Sequence, residues 1–282
     1  MRCSRSSLFR FTGFGFAGFR SFGLLAALLA VGPGVQEARA EAPSHLETIQ
    51  KSGRLRVCIW PAYFGITYRN PRNGQLEGID IDLAQQLASD LKVSAEFVDS
   101  SFADLAKNLT TNACDIAMHA VGVRPDRAEH MDFSTPYLVS GIYAVVPRTH
   151  ASIKTWADID QSGHVVVVQK GTYMEPVMRD TLKKADLMVV EDFKQREQEV
   201  ESGRADVFMT DYPYGQRMAT QTPWAALLAP PSPLAPTPYA YAVPKGDPAW
   251  LVRVNQFVSD IKQDGRLATY AGKNRLTPII AP

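Results

Sequence analysis

A strand–helix alternation that runs once, stops and then starts again constrains this chain more than any other feature. Leu55–Ile59 is a short β-type run, Ile79–Leu91 carries apolar residues at helical spacing, and Ala95–Val98 is strand-like. Phe102–Leu109 is helical again and Ile116–Ala120 strand-like. The order returns from Val165–Val168, an unbroken valine run that fits a strand buried on both faces. Met174–Ala185 then reads as helix, Leu187–Val190 as strand, Lys194–Ser202 as helix and Val207–Met209 as strand. Each β-α-β-α-β stretch predicts a mostly parallel sheet flanked by helices. Two apolar extended segments separate the units, Gly141–Pro147 and, after the proline-rich Pro230–Pro238, Tyr239–Val243. Two extended crossings between two α/β units predict a two-lobed, hinged protein. Pro248–Gly265 reads as an amphipathic helix.

The first forty residues stand apart. Arg2, Arg5 and Arg10 precede the apolar run Phe22–Val31, and Ala38-Arg39-Ala40 supplies a small-x-small cleavage pattern. This is the pattern of a secretory signal peptide. A transmembrane anchor needs about 20 apolar residues, and this run is shorter. No cysteine follows it to carry a lipid, and a mature chain is expected to begin near Glu41. Removing the five arginines and one glutamate of the leader changes the net charge from +1 to −3. No basic run with interleaved aromatics points to nucleic acid. Roughly 240 remaining residues can bury one large core or two modest ones.

Cys58 and Cys114 survive this processing, each at or beside a predicted strand of the first unit. Outside the cytoplasm a disulfide between them is expected if strand register brings them together. Two buried free thiols are the alternative. No histidine or cysteine cluster accompanies them, so a zinc site is not expected.

The densest chemical signal is Arg124–Tyr137, RPDRAEHMDFSTPY, which follows the buried strand and loop Asp115–Val123. A buried strand that ends in a turn and hands over an arginine aims a guanidinium into a cleft. Arginine presents a planar fork that matches a carboxylate bidentately, so Arg127 reads as a carboxylate clamp. In parallel sheets ligands bind beyond the carboxyl ends of the strands. That places Trp60, His119, Thr172 and Asp211 near one cleft. Asp211 also suits a helix N-cap, and Gly171-Thr172-Tyr173 opens a helix whose free amides can hold an anion.

The segment resembles the bacterial periplasmic solute-binding proteins of the polar amino-acid uptake type, extracellular solute-binding protein family 3. Their mark is Thr-Pro-Glu-Arg followed by Phe-Ser-x-Pro-Tyr. Further marks are GQLEGIDI (Gly74–Ile81), QKGT (Gln169–Thr172), GRADVFMTD (Gly203–Asp211) and DGRL (Asp264–Leu267). The resemblance extends from about Gly53 to Leu276. It implies a type II periplasmic binding protein fold: residues 1–40 as signal peptide, 41–141 as the first segment of lobe 1, 142–240 as lobe 2, and 241–282 returning to lobe 1. It also implies a soluble, periplasmic, monomeric receptor of an ABC importer. Such a receptor closes its hinge on an amino acid or related small carboxylate, needs no cofactor, and docks on a membrane permease.

Carried over residue by residue, the resemblance gives Arg127 the ligand carboxylate and Asp211 the ligand ammonium. The Gly171–Thr172 turn becomes the second-lobe grip, and Tyr63 and Phe102 become first-lobe aromatics against the ligand. The chain departs from the pattern at four positions. Trp60 replaces an aspartate that helps hold the ammonium, Gly122 replaces a hydroxyl residue while keeping its amide, Tyr173 replaces a second threonine, and Arg124 replaces the threonine before the proline. Arg124 beside Arg127 suggests room for a second acid group.

Two other readings compete. GTYMEPVMRDTLKKA resembles the matching segment of periplasmic cyclohexadienyl (arogenate/prephenate) dehydratases, in which the residue matching Glu175 is catalytic. Many plain binding proteins also carry an acid there. The LRVC strand at Cys58 and the later Cys114-Asp115 resemble quinoprotein-dehydrogenase accessory proteins, which tend to lose the arginine pattern kept here.

Overall fold

The computed structural model describes residues 44–282. The expected signal peptide and its cleavage site lie outside the described residues. In chain order the first part comprises α1 (His45–Ser52), β1 (Arg54–Ile59), a small hairpin sheet of β2 (Ala62–Tyr63), β3 (Thr67–Arg69) and β4 (Leu76–Glu77), then α2 (Ile79–Asp90), β5 (Ser94–Asp99), α3 (Leu105–Thr110), β6 (Ile116–Gly122), α4 (Pro125–Ala128), β7 (Met131–Phe133) and β8 (Leu138–Ser140). The second part is β9 (Tyr143–Pro147), β10 (Val165–Gln169), α5 (Met174–Thr181), β11 (Asp186–Val190), α6 (Phe193–Glu201), β12 (Val207–Thr210), α7 (Tyr212–Gln221) and β13 (Ala225–Leu228). The chain closes with β14 (Thr237–Pro244), α8 (Pro248–Gln263) and α9 (Arg266–Lys273).

These strands form two central sheets, one per lobe. The first has the order β5-β1-β6-β14-β7, with β8 also on β14. The second has the order β11-β10-β12-β9-β13. The expected parallel ladders are present as β5-β1-β6 and β11-β10-β12. The crossing segments are themselves strands: β14 joins the first sheet antiparallel beside β6, and β9 joins the second antiparallel beside β12. Each lobe is therefore a mixed sheet with a parallel centre. The two crossings run side by side, with the Ile142 amide donating to the Leu234 carbonyl at 3.0 Å. A Cβ on Gly141 would lie 2.9 Å from that same oxygen, so this close approach requires glycine.

The valine run behaves as its composition dictates. Val166 and Val168 pack with Met174 and Met178 of α5, while Val167 packs with Val200, Tyr214 and Met218 on the opposite face. In the first lobe, Val57 and Ile59 face α2 and α8, and Cys58 faces α3. The Trp250 indole of α8 donates to the Asp115 carbonyl at 2.8 Å, which pins the returning tail to the edge of β6. The sulfurs of Cys58 in β1 and of Cys114, in the loop leading into the neighbouring β6, lie 2.11 Å apart. One expected helix is shorter than its periodicity suggests. α5 ends at Thr181 rather than Ala185 because the Asp160 carboxylate accepts from the amides of Lys183, Lys184 and Ala185. Those amides turn toward the acid instead of continuing the helix.

Asp80, in the first turn of α2, is fully buried. It accepts from the Ala120 amide at 2.9 Å and from the hydroxyls of Tyr137 and Tyr241 at 2.5 and 3.4 Å. Burial pushes its carboxyl up to about 7. The native state then keeps a proton that the unfolded chain releases at its ordinary value of 3.8. A raised carboxyl makes stability fall as pH rises between those values and level off above them. Across roughly pH 4–7 the wild type should lose stability relative to Asp80→Asn by up to about 1.4 kcal/mol per pH unit. Paired melting curves check this, and a difference that does not change with pH would refute it. Protein purified from the periplasm should also show no free thiol when denatured without reductant; two titratable thiols would be the contrary result.

Candidate functional site

The carboxyl ends of the parallel strands of both sheets open on one cavity of about 380 Å³. The first lobe contributes Trp60 after β1, Tyr63 in β2, Phe102 after β5, Gly122 at the end of β6, Arg127 in α4 and Tyr239 in β14. The second lobe contributes the Gly171–Thr172–Tyr173 turn after β10, Phe193 and Arg196 from α6, and Asp211 after β12. All eight ligand-contact residues expected from the sequence line this cavity: Arg127, Asp211, Thr172, Tyr173, Gly122, Tyr63, Trp60 and Phe102.

Arg127 is partly buried, and its Nη1 donates to the Gly122 carbonyl at 3.0 Å. Its guanidinium lies 5.3 Å from the Phe102 ring centre, a cation–π distance. Burial, and after it the nearby charge of Arg124, brings its pKa down to about 10, which leaves it cationic at neutral pH. No carboxylate pairs with it among the described residues. Arg124 differs. Its Nε and Nη2 bond both oxygens of Asp126 at 2.9 and 2.8 Å, and its Nη1 reaches the Gly171 carbonyl of the other lobe at 3.3 Å. The room for a second acid that Arg124 suggested is thus occupied by Asp126.

Asp211 caps α7, its Oδ1 accepting from the Tyr214 amide at 3.2 Å. Its Oδ2 accepts from the Tyr63 hydroxyl and, at 3.0 Å, from the Tyr239 hydroxyl, both across the cleft. Burial raises its carboxyl, opposed first by these two hydroxyl bonds and then by Arg196. Thr172 donates its hydroxyl to the Gln169 carbonyl at 2.7 Å, and Tyr173 donates to the Gly141 carbonyl at the first crossing at 3.1 Å. The Gly171 amide is held by Glu175 at 3.1 Å.

The apolar wall is an aromatic stack. Trp60 lies 5.3 Å from both Tyr63 and Phe102, and meets Phe193 of the second lobe edge-on at 4.8 Å. Gly122 has a steric reason: a Cβ there would come 3.1 Å from Thr237 Cγ2, so the usual hydroxyl residue would press on β14. His119 does not reach the cavity. It is buried beneath Phe102, its Nδ1 3.2 Å from the Cys58 carbonyl, and burial pushes it down to about 4, so the ring is neutral. Glu175 also lies outside the cavity lining.

Three contributors were not read from sequence: Phe193, Arg196 and Tyr239. Tyr239 sits in the apolar crossing YAYAV and looks like core; its hydroxyl is what reaches Asp211. Arg196 sits in the charged run KQREQE and looks solvated. The signal was its spacing: Phe193, Arg196 and Val200 fall at i, i+3 and i+7, the stripe that a helix buries.

With this geometry established, the comparisons with known proteins are specific. Residues 55–274 match the model of the bacterial extracellular solute-binding proteins, family 3. The chain is similar to the cyclohexadienyl dehydratase of Pseudomonas aeruginosa, at 31% identity over 79% of this chain and 83% of the other. It is similar to the L-cystine-binding protein TcyJ of Escherichia coli, at 27% identity over 89% of this chain and 92% of the other. Among solved structures, the ancestral amino acid-binding protein AncCDT-1, a precursor of cyclohexadienyl dehydratase, superposes with a TM-score of 0.73 at 34% identity, covering 82% of this chain and 99% of the other. The chain belongs to the bacterial extracellular solute-binding proteins, family 3, as a two-lobed periplasmic receptor that binds a small amino-acid or carboxylate solute for an ABC importer.

Proposed function

We propose that the cleft grips a carboxylate on Arg127 and houses a sizeable or aromatic body against Trp60, Tyr63 and Phe102. The observation that carries this reading is the unpaired Arg127 guanidinium beside an aromatic wall. A carboxylate offered to it forms a charge-assisted, bidentate pair. The ammonium half of an amino-acid site is weaker. Trp60 stands in place of an acid, and Asp211 already accepts from three protein donors. A carboxylate offers about four acceptor positions, so little remains for an ammonium. Glycine, alanine and serine are disfavoured on this ground, as are lysine and arginine unless they use the Trp60 face.

The proposal takes residues 41–141 with the returning C-terminal segment as one lobe and the intervening residues as the other, the return beginning with β14 (Thr237–Pro244) in the first sheet rather than at residue 241, and the protein acting as a monomer that delivers to its permease. The ligand bridges the lobes and stabilises the closed form by its differential affinity.

A dehydratase would need a general acid whose pKa lies near the operating pH. Glu175 is unsuited. The Gly171 amide, and after it the Arg179 guanidinium, holds its carboxyl below the usual range, so it is ionised at neutral pH.

The first test is a thermal-shift screen against amino acids, dicarboxylates, polyamines and aromatic acids. A ligand at 100 times its Kd adds about 2.7 kcal/mol of stability. For each hit, Arg127→Ala should weaken binding by about 100-fold or more by calorimetry, with little change in the melting temperature of the free protein. Undiminished affinity would remove Arg127 from the site. Glu175→Gln should leave binding within about threefold, and prephenate should yield no phenylpyruvate. Turnover of prephenate that Glu175→Gln abolishes would establish the enzyme reading instead.

A further inference from the structure

The charges that line the cleft are the cations Arg124, Arg127, Lys170 and Arg196 and the acids Glu191 and Asp211. Glu191 pairs with Lys170 at 2.8 Å, which leaves Asp211 as the acid that a ligand ammonium would have to use. Asp211 is 6% exposed, and its Oδ1 accepts from the Tyr214 amide at 3.2 Å. Its Oδ2 is taken by two phenols of the other lobe, Tyr63 and, at 3.0 Å, Tyr239. The field of the buried Arg196 acts on the same acid and opposes a second cation brought to it.

Both phenols are fixed in place. Tyr63 and Tyr239 are buried. The Tyr63 ring is held by Trp60 at 5.3 Å and Phe102 at 6.0 Å, and Tyr239 is paired in β14 with Gly122 of β6 and Leu138 of β8. Burial, and after it the Asp211 charge, raises both hydroxyls well above their ordinary value, so both stay neutral donors. Phenylalanine would fill the same ring positions. What the two tyrosines add is a pair of donors aimed at one oxygen, and a carboxylate oxygen offers about two acceptor positions. An ammonium at that oxygen must displace a hydroxyl, which then becomes a buried donor without a partner. A phenol oxygen left in place accepts a hydrogen bond but brings no negative charge to balance a cation.

We infer that Tyr63 and Tyr239 set the ligand class by filling, on Asp211, the place that an α-ammonium would take. The ligand is a carboxylic acid with a sizeable or aromatic body that carries hydrogen, a hydroxyl or an oxo oxygen where an amino acid carries its ammonium. The inference rests on the proposed Arg127 clamp and names what the rest of that ligand lacks. The two hydroxyls belong to the first lobe and Asp211 to the second, so the bonds that exclude an ammonium are also bonds between the lobes. An amino acid would therefore compete with closure, whereas an acid without the ammonium leaves these bonds intact.

The test uses protein purified from the periplasm and sets of ligands that share a body and differ at the 2-position. One set is L-phenylalanine, 3-phenyllactate and 3-phenylpropanoate; another is L-leucine, 2-hydroxy-4-methylpentanoate and 4-methylpentanoate. Calorimetry on the wild type should find, in at least one set, an acid without the ammonium bound about tenfold or more tighter than the amino acid, the size expected for a hydrogen bond to a charged group. Tyr239→Phe keeps the ring and frees one acceptor position on Asp211, and should lower that ratio by about fivefold or more. Tyr63→Phe should act in the same direction, and it carries the test if the first variant does not fold. The ratio is the readout because a loss of packing or of lobe contact weakens all members of a set alike. Absence of binding by every acid that lacks an ammonium overturns the inference, as does an amino acid that the wild type binds as tightly as its analogues, or a ratio that neither variant lowers. Arg127→Ala separates the two readings. Loss of all ligands in that variant, with a ratio unmoved by the tyrosine variants, condemns the inference about the ammonium alone, whereas undiminished binding in Arg127→Ala condemns the clamp on which it rests.

Discussion

Asp211 is the residue on which the geometry of the cleft depends. It closes the last parallel strand of the second lobe, starts α7, and accepts hydroxyl bonds from Tyr63 and Tyr239 of the first lobe. A buried carboxylate without donors is costly, and its own lobe supplies only the Tyr214 amide by hydrogen bond. The remaining donors come from across the cleft. The two lobes are thus linked through one buried acid. The aromatic contact between Trp60 and Phe193 and the reach of Arg124 to Gly171 bring the same two lobes together around it.

Around that centre the cleft is sorted by charge. Acids that neutralise cations sit close to them in sequence or on the adjoining strand end, as Asp126 does for Arg124 and Glu191 for Lys170. Arg127 and Arg196 have no such neighbour and rest instead on carbonyls and aromatic faces. Aromatic faces attract a cation without filling its hydrogen-bond directions. They hold each guanidinium in place without supplying a counter-charge.

Much of this was legible in the sequence because the fold is written in periodicity. The valine run Val165–Val168, the helix Ile79–Leu91 and the order of strands needed only local pattern, and the strand ends marked the cleft. The termination of α5 was not legible, since it depends on Asp160, which is distant in sequence and near in space. Arg196 was missed for a related reason. Composition around it is that of a solvated helix face, and only the spacing of Phe193, Arg196 and Val200 marks the stripe that α6 turns toward β12. Tyr239 shows the opposite case, a residue whose apolar setting is correct and whose single polar atom carries the contact.

The departures from the family pattern make physical sense as one set. An aspartate at position 60 would stand among Tyr63, Phe102 and Phe193, an apolar setting that disfavours an ionised acid. Tryptophan fills that space and removes one partner for an ammonium. A hydroxyl residue at position 122 would press on Thr237, and the Gly122 carbonyl is needed by Arg127. With fewer acceptors for a positive group beside Arg127, the balance of the cleft moves toward acids. On the proposed reading, such a cleft favours a ligand whose anionic end completes Arg127 and whose body fills the aromatic wall.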